Sequence, residues 1–198
     1  MTDLAAAHAA VTVDLGTGDG RFVLAHAAAH PDRFVLGIDA SPEAMRDASR
    51  RAARPASRGG LPNARFVVSA AEALPAGLGG FADLVTVHFP WGSLWEAAAC
   101  HEPTVTAHIR SLICPGGSLR LLLSAAERDG TSGIHPDAVA TAYAALGMTL
   151  AECHVATLDD AVAVHSSWGK RLLRRPDPGR SAWSFRLDRR PAISGGRG

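Results

Sequence analysis

The chain has 198 residues, of which 47% are hydrophobic and 20% charged, and this composition excludes disorder, collagen and coiled coil as overall descriptions. Its length predicts one domain with a substantial core. No apolar run reaches the roughly 20 residues that a membrane span needs, and the opening MTDLAAAHAA has an acid where a signal peptide carries bases. Three cysteines without a C-x-x-C pair predict free thiols, and we expect a cytoplasmic protein without a metal site.

The formal net charge of +1 conceals an uneven distribution along the chain. Residues 165–198 hold nine of the 20 basic side chains and two acidic ones, so this segment carries a charge of +7. A second group of bases lies in the first third of the chain: Arg46, Arg50, Arg51, Arg54, Arg58 and Arg65. Two basic clusters indicate either a polyanionic partner met by one face or the solvated surface of an arginine-rich protein, and charge alone favours neither.

Strands and helices alternate along the first half of the chain. A strand in AAVTVDL passes through a glycine-rich loop into an alanine-rich helix, and RFVLGIDA is the second strand. The helix in SPEAMRDASRRAAR begins with Ser41 as its N-cap and Pro42 in its first turn, and the third strand follows in ARFVVSAA.

The alternation continues in the second half. The predicted elements are a buried strand in FADLVTVH, a helix closed by glycines in TVTAHIRSLICPGG, a strand in GSLRLLLSAA, a helix with Gly147 as its C-cap in HPDAVATAYAALG, and a sixth strand in MTLAECHVATL. Residues 159–179 have no clear period, and WSFRLDRR is predicted as an exposed or edge strand. The fold class is therefore α/β: one domain, residues 1–198, with a doubly wound, seven-stranded, mostly parallel sheet, helices on both faces and a frayed tail at 191–198.

Glycines at alternate positions follow the first strand. Gly16, Gly18 and Gly20 permit a tight turn and let a ligand lie against bare backbone at the start of a helix. A dinucleotide fingerprint would need a small residue where Arg21 stands. The spacing, with Asp14 two residues before the first glycine, instead resembles motif I of the class I S-adenosylmethionine-dependent methyltransferases. The resemblance implies that Asp14 lies near the methionine end of the cofactor.

Two further strand ends fit the same cofactor. Asp39 closes the second strand 21 residues after Gly18, where its carboxylate is suited to accept hydrogen bonds from two ribose hydroxyls. In the methyltransferases that the loop resembles, the adenine ring of the cofactor lies at the end of the third strand, which here reads SAAE. Ala71 and Glu72 are therefore expected beside the adenine, although the usual acid is displaced to Glu72.

The fourth strand ends in His88-Phe89-Pro90-Trp91-Gly92. Many amino methyltransferases of nucleic acids have Asn or Asp before a Pro-Pro pair here, and that side chain accepts a hydrogen bond from the exocyclic amine. The present sequence lacks this acceptor, which favours a ring nitrogen, since its lone pair needs only to be held in line with the methyl group. His88 and His165 are interpreted as structural histidines.

Trp91 and Trp168 are the candidate residues for holding a flipped base. Trp91 follows the fourth strand beside the predicted cofactor, and Trp168 lies in the polar, basic segment SSWGKRL, where a core tryptophan is unusual. Methylation makes the base cationic, so each indole face would favour the transition state by roughly 1–2 kcal/mol through cation–π attraction. A structural turn is the alternative for Trp91, and Trp95 and Trp183 are interpreted as core residues.

The segments VDLGTGDGR, GIDAS, SAAEALP, HFPWGSL and SSWGKRL together resemble the aminoglycoside-resistance 16S rRNA (adenine(1408)-N1)-methyltransferases over about residues 11–190. The resemblance implies S-adenosylmethionine-dependent methylation of N1 of that adenine on the assembled 30S subunit. It assigns Asp14 and Asp39 to the cofactor, Trp91 and Trp168 to the flipped adenine, and Ser166 to closing the pocket.

The resemblance also implies that a docking segment at about 159–190 grips the rRNA backbone, and we expect the bases Lys170, Arg171, Arg174, Arg175 and Arg180 to make these contacts. A monomer that binds neither DNA nor membranes is expected. Two alternatives remain. A small-molecule methyltransferase would label free compounds and leave subunits unlabelled, and a non-catalytic RNA-binding protein would bind subunits without methyl transfer.

Overall fold

The computed structural model describes residues 5–131, 133–175 and 177–191. Within these ranges seven strands form one sheet: β1 (Ala10–Leu15), β2 (Arg33–Asp39), β3 (Ala64–Val68), β4 (Ala82–His88), β5 (Ile113–Ala126), β6 (Met148–Val155) and β7 (Arg180–Arg189). The order across the sheet is β3-β2-β1-β4-β5-β7-β6, and β7 runs antiparallel to both of its neighbours. The predicted mostly parallel α/β sheet is confirmed. The tail predicted to fray lies outside the described residues, apart from Pro191.

Seven α-helices lie within the same ranges: α1 (Arg21–Ala29), α2 (Pro42–Ala52), α3 (Gly92–Ala98), α4 (Pro103–Ser111), α5 (Pro136–Ala145), α6 (Leu158–Ala163) and α7 (Ser167–Leu173). The predicted cap of α2 is present, because the Ser41 hydroxyl accepts a hydrogen bond from the backbone of Ala44 at 3.3 Å. In the described part of the chain no helix has the length and apolarity to span a membrane.

Alternate residues of β2 face two separate apolar layers. Phe34, Leu36 and Ile38 belong to the larger cluster, which includes buried residues of α3, α4 and α5. Val35 belongs to a smaller cluster with buried residues of α1 and α2. Since successive side chains of a strand point to opposite faces, helices cover both faces of the sheet. The strands are therefore rigid supports for whatever follows their carboxyl ends.

The topology places a crevice between β1 and β4. The chain leaves β1 toward β2 on one side, whereas β4 and β5 lie on the other, so the connections diverge at this point. Ligands of doubly wound sheets collect at the carboxyl ends of the strands where the order switches. The glycine loop after Leu15 and the turn after His88 both lie there.

Three predictions about elements are wrong. The last strand, β7, lies inside the sheet between β5 and β6, and β6 is the edge strand. The predicted helix 104–117 ends early, because residues 113–117 belong to β5. Within β5, a Cβ on Gly117 would lie 2.9 Å from the Asp83 carbonyl oxygen. The segment without a period contains α6 and α7, each capped by a hydroxyl side chain, that of Thr157 for α6 and that of Ser166 for α7.

Candidate active site

A cavity of about 410 Å³ opens at the carboxyl ends of β1 to β4. Its walls are the glycine loop, the ends of β2 and β3, the turn after β4, and residues 164–168 at the start of α7. Because β7 is antiparallel to β5, its first residue, Arg180, pairs with Ala126 at the carboxyl end of β5. The connection that carries α7 is thereby placed over the cavity. The volume of the cavity is typical of a small-molecule site.

The glycine loop has a left-handed backbone at each glycine. Gly16, Gly18 and Gly20 have φ values of +70°, +54° and +68°, which residues with a Cβ rarely adopt. A Cβ on Gly16 would lie 2.6 Å from the Leu94 side chain, so close packing against α3 also requires glycine there. Gly20, also predicted to bind the cofactor, packs beneath the cavity, where an added Cβ would lie 2.5 Å from Ala48.

Asp14 forms the buried floor of the cavity. Its side chain is 3% exposed, its Oδ1 accepts a hydrogen bond from the Thr86 hydroxyl at 2.7 Å, and His88 Nδ1 lies 3.4 Å from the same oxygen. The ring of His88 also packs edge-on against Phe22. His88 therefore has the structural contacts that the sequence interpretation expects, and it holds the Asp14 carboxylate in place.

Asp39 is held at the level of the glycine loop. Its two carboxylate oxygens accept backbone hydrogen bonds from Gly18 and Ser41, both at 2.8 Å. Each oxygen keeps a further lone pair, so the carboxylate can still accept from two hydroxyl groups of a ligand. The position at the end of β2 and the fixed orientation suit a ribose.

Ala71 and Glu72 lie at the third strand end, as predicted. Ala71 is buried in the cavity wall, and Glu72 is exposed at its rim. A hydrogen bond from the Ser93 hydroxyl lowers the pKa of Glu72 below its ordinary value, which favours the ionised carboxylate. Ser93 also lines the cavity and belongs to α3. The two residues form a backbone wall with a charged rim, which suits an adenine ring with its amine.

Thr17 is a cavity residue that the sequence interpretation missed. Its hydroxyl is buried in the wall and has no hydrogen-bond partner among the described residues. A buried hydroxyl without a partner costs about 1–3 kcal/mol, which a polar ligand atom would recover. The loop, the two carboxylates and this hydroxyl therefore fit a cofactor that combines a nucleoside with charged groups, as S-adenosylmethionine does.

Trp91 and Trp168 meet at the mouth of the cavity. Trp91 precedes α3 and is 49% exposed, whereas Trp168 lies in α7 and is partly buried. Their ring centroids are 5.2 Å apart with the planes at 59°. A base stacked between two parallel rings needs about 7 Å, two contact distances of about 3.5 Å. The structure brings the two rings together, but they touch each other, and a base would have to part them.

The backbone beneath this pair is strained and tightly packed. Phe89 has a φ of 49°, in the left-handed region that disfavours residues with a Cβ. Its ring packs on Gly169 of α7, where a Cβ would lie 2.2 Å from Phe89 Cε2. Neither residue was singled out from the sequence, since only the fold shows that FPW and SWGK are neighbours. This contact sets how closely α7 approaches the end of β4.

The basic side chains after Trp168 differ in their surroundings. Arg171, Arg174 and Arg175 are exposed, and the guanidinium of Arg171 lies 5.1 Å from the centroid of the Trp168 ring. Arg180, which was also expected to contact RNA, has different surroundings. Its side chain is 7% exposed and pairs with Asp129 at 2.7 Å and with Asp177 at 3.6 Å. Arg180 therefore joins β7 to the turn after β5, and its charge is already compensated.

The other two tryptophans, Trp95 and Trp183, have structural positions. Trp95 is buried, and its Nε1 donates a hydrogen bond to the Ser124 carbonyl oxygen at 2.9 Å. Trp183 packs against the larger core cluster from β7. His165 lines the cavity with a φ of 54°, at the turn between α6 and α7. Ser166 also lines the cavity, and its hydroxyl accepts a hydrogen bond from the Gly169 backbone at 2.9 Å.

The fold and the cavity together define a class of enzyme. A strand β7 inserted antiparallel between β5 and β6, a glycine loop after β1 and a carboxylate at the end of β2 are the features of a class I S-adenosylmethionine-dependent methyltransferase. The fold class predicted from the sequence is confirmed, and with it the cofactor.

Comparison with known proteins identifies the family. The family model described as NpmA: 16S rRNA (adenine(1408)-N(1))-methyltransferase matches residues 1–182. A curated 16S rRNA (adenine(1408)-N(1))-methyltransferase of Streptoalloteichus tenebrarius is 32% identical over 82% of this chain and 80% of its own length. The crystal structure of the antibiotic-resistance methyltransferase Kmr has a TM-score of 0.76 and 34% identity, covering 94% of this chain and 90% of that one.

A single-site variant of the 16S rRNA (adenine(1408)-N(1))-methyltransferase from Catenulisporales acidiphilia, solved with the cosubstrate S-adenosylmethionine, has a TM-score of 0.80 and 29% identity. The alignment covers 96% of the present chain and 90% of that chain. The present chain therefore belongs to the 16S rRNA (adenine(1408)-N1)-methyltransferase family. The resemblance noted in the sequence is confirmed.

Proposed function

We propose that this protein methylates N1 of adenine 1408 in the 16S rRNA of the assembled 30S subunit, with the flipped adenine held between Trp91 and Trp168. The observation that carries the proposal is the meeting of two indoles from separate elements, α7 and the turn before α3, at the mouth of the cofactor cavity. A methyl group at this position adds bulk and positive charge where cationic aminoglycosides bind, which gives resistance.

The cofactor side of the cavity holds S-adenosylmethionine, which when bound supplies a methyl group activated by a sulfonium. Asp39 would accept hydrogen bonds from the ribose hydroxyls, the wall at Ala71 and Glu72 would take the adenine ring, and Asp14 would lie toward the methionine end. The Thr17 hydroxyl, which lacks a partner in the described chain, would gain one from a polar atom of the cofactor. These side chains orient the cofactor and need not exchange a proton with the target base.

The substrate side acts by positioning. The N1 atom of neutral adenine has its own lone pair, so the chain needs no general base, and holding N1 in line with the methyl group is the main contribution. The base becomes cationic as the bond forms, and two indole faces stabilise that charge by roughly 1–2 kcal/mol each. Trp168 Nε1 is buried without a partner among the described residues, and a bound nucleotide supplies an acceptor for it.

The basic clusters dock the enzyme on folded RNA. Lys170, Arg171, Arg174 and Arg175 follow Trp168 directly, so phosphates that flank the flipped adenine fall within their reach. The exposed arginines along and after α2 provide a second set of phosphate contacts: Arg46, Arg50, Arg51, Arg54 and Arg58. We propose that the docking segment 159–190 and α2 together recognise the shape of the 30S surface, in the cytoplasm and as a monomer.

The test is methylation of purified 30S subunits with methyl-labelled S-adenosylmethionine, followed by primer extension on the 16S rRNA. We expect incorporation of about one methyl group per subunit and a reverse-transcriptase stop at adenine 1408, because a methyl on N1 blocks Watson–Crick pairing. Labelling of free small molecules with no labelling of subunits would favour the small-molecule alternative. Subunit binding without any methyl transfer would favour the non-catalytic RNA-binding alternative.

A further inference from the structure

A hydrogen bond joins the glycine loop to the helix that carries Trp168. The hydroxyl of Ser167, the first residue of α7, donates to Asp19 Oδ2 at 3.2 Å. The two residues are 148 positions apart in the chain. Asp19 lies between Gly18 and Gly20 and lines the cofactor cavity, and so does Ser167. The contact therefore spans the cavity from its cofactor side to its substrate side.

Contacts with Arg21 also orient the Asp19 carboxylate. Its Oδ1 accepts a hydrogen bond from the Arg21 backbone at 3.2 Å, and Arg21 Nε lies 3.1 Å from Oδ2. The neighbouring residue, Gly18, donates its backbone N–H to Asp39. A continuous series of contacts thus connects the proposed ribose acceptor, through the glycine loop, to the residue before Trp168.

The opposite side of α7 is attached differently. Gly169 packs on Phe89, and Leu172 and Leu173 contact an apolar cluster that includes Phe89, Leu122 of β5 and Ala182 of β7. These contacts attach α7 to the sheet, and this attachment does not depend on the cofactor. Within the described ranges, the hydrogen bond from Ser167 is the side-chain hydrogen bond that connects α7 to the cofactor loop.

We propose that Asp19 and Ser167 are positioning residues that couple the cofactor loop to Trp168, so that an ordered loop holds this indole at the place where the adenine stacks. The proposal rests on the function proposed above. In the structure Trp168 contacts Trp91, with the ring centroids 5.2 Å apart. Admitting the base requires the indoles to part, and a tether at the start of α7 limits how far Trp168 moves when they do.

The coupling is tested by hydrogen–deuterium exchange of residues 164–175, with and without S-adenosylmethionine, in the wild type, Ser167→Ala and Asp19→Ala. We expect the cofactor to slow exchange of α7 in the wild type and to have no such effect in either variant. Ser167→Thr keeps the hydroxyl and should restore the protection. Ser111→Ala is the matched control, since it removes an exposed helical serine that donates to the His108 carbonyl oxygen and does not line the cavity.

Activity provides the second readout. Loss of the contact should lower kcat on 30S subunits about three- to tenfold, as for an exposed hydrogen bond to a charged group, with KM changed less than about twofold because the docking arginines remain. The double variant should be no worse than either single variant. Cofactor-dependent protection of α7 that persists in Ser167→Ala, or losses that add in the double variant, would overturn the coupling. The exchange experiment needs no RNA, so a wild type that protects α7 but leaves subunits unmethylated would refute the proposed function alone.

Discussion

The two sides of the cavity are built differently. On the cofactor side, the carboxylates of Asp14 and Asp39 are held by hydrogen bonds of 2.7 and 2.8 Å to Thr86 and to the backbone of Gly18. On the substrate side, Trp91 is half exposed and tilted by 59° against Trp168, with no room for a base. We therefore propose that the cofactor site is preformed and that the base site forms only when RNA arrives. Substitutions on the two sides should separate cofactor affinity from methyl transfer.

The largest effect is expected on the substrate side. Trp168→Ala should lower kcat/KM for methylation of 30S subunits about 100- to 1,000-fold, because stacking of a base on an indole and cation–π stabilisation of the methylated ring are lost together. The affinity for S-adenosylmethionine, measured by calorimetry, should stay within about twofold. Trp183→Phe, in the core layer on β7, is the control and should keep full activity. A Trp168→Ala enzyme with near-normal turnover would remove the base site from this position.

The cofactor side should respond in the opposite way. Asp39→Ala leaves the backbone amides of Gly18 and Ser41 without their acceptor and removes the proposed ribose contact. We expect the affinity for S-adenosylmethionine to fall about 30- to 100-fold, as for the loss of two hydrogen bonds to a charged group. Asp47→Ala, which removes an exposed acid from α2, should leave the affinity unchanged. Equal affinities for the Asp39→Ala and Asp47→Ala proteins would contradict the assignment.

The packing of α7 on Phe89 connects the cofactor side of the cavity to the substrate side. In Gly169→Ala the new methyl group would lie 2.2 Å from the Phe89 ring, so α7 must move outward. Overpacking of this kind costs about 1–3 kcal/mol, and we expect the free energy of unfolding to fall by that amount. Subunit methylation should fall about tenfold as Trp168 is displaced. Gly79→Ala, where nothing lies within 4 Å of the added Cβ, is the control for stability. Unchanged stability of Gly169→Ala would mean that Phe89 adapts without moving the helix.

The smallest effect is expected for single phosphate contacts. Arg174→Ala and Arg175→Ala should each weaken binding to 30S subunits about three- to tenfold at low salt and reduce the slope of log affinity against log salt by about one. Arg180→Ala should leave the salt slope unchanged and instead lower the free energy of unfolding by about 1–3 kcal/mol, because Asp129 loses its partner. A reduced salt slope for Arg180→Ala would restore this residue to the RNA-binding set.

The sequence predicted the parts of the fold that depend on local patterns. Buried strands, the glycine loop and the Ser41 cap all follow from neighbouring residues. The placement of β7 at an edge was wrong because alternation along WSFRLDRR shows that one face is buried and says nothing about how many strands pair with it. The helices α6 and α7 have six and seven residues, too few for a helical period. Their Thr157 and Ser166 caps are the local signals that would have located them.

The residues of the candidate site also divide into those that local sequence patterns predict and those that only the fold brings together. Asp14 and the glycines of the loop were predictable because the motif keeps them adjacent in the chain, and Asp39 because it closes the second strand 21 residues after Gly18. The unpartnered hydroxyl of Thr17, the pairing of Arg180 with Asp129 and the contact of Ser167 with Asp19 depend on residues that come together only in the folded protein. The sequence also predicted a base between Trp91 and Trp168. It could not show that the two rings touch when no base is present.

We propose above all that adenine 1408 lies between Trp91 and Trp168 during methyl transfer. The most direct measurement is a cryo-electron microscopy structure of the protein on the 30S subunit with an S-adenosylmethionine analogue that lacks a transferable methyl group. We predict that the adenine is flipped out of the RNA helix, with the two indoles parted to about 7 Å on either side of it and N1 toward the analogue. An adenine that stays stacked in the RNA, or enters the cavity with the indoles still in contact, would contradict the account.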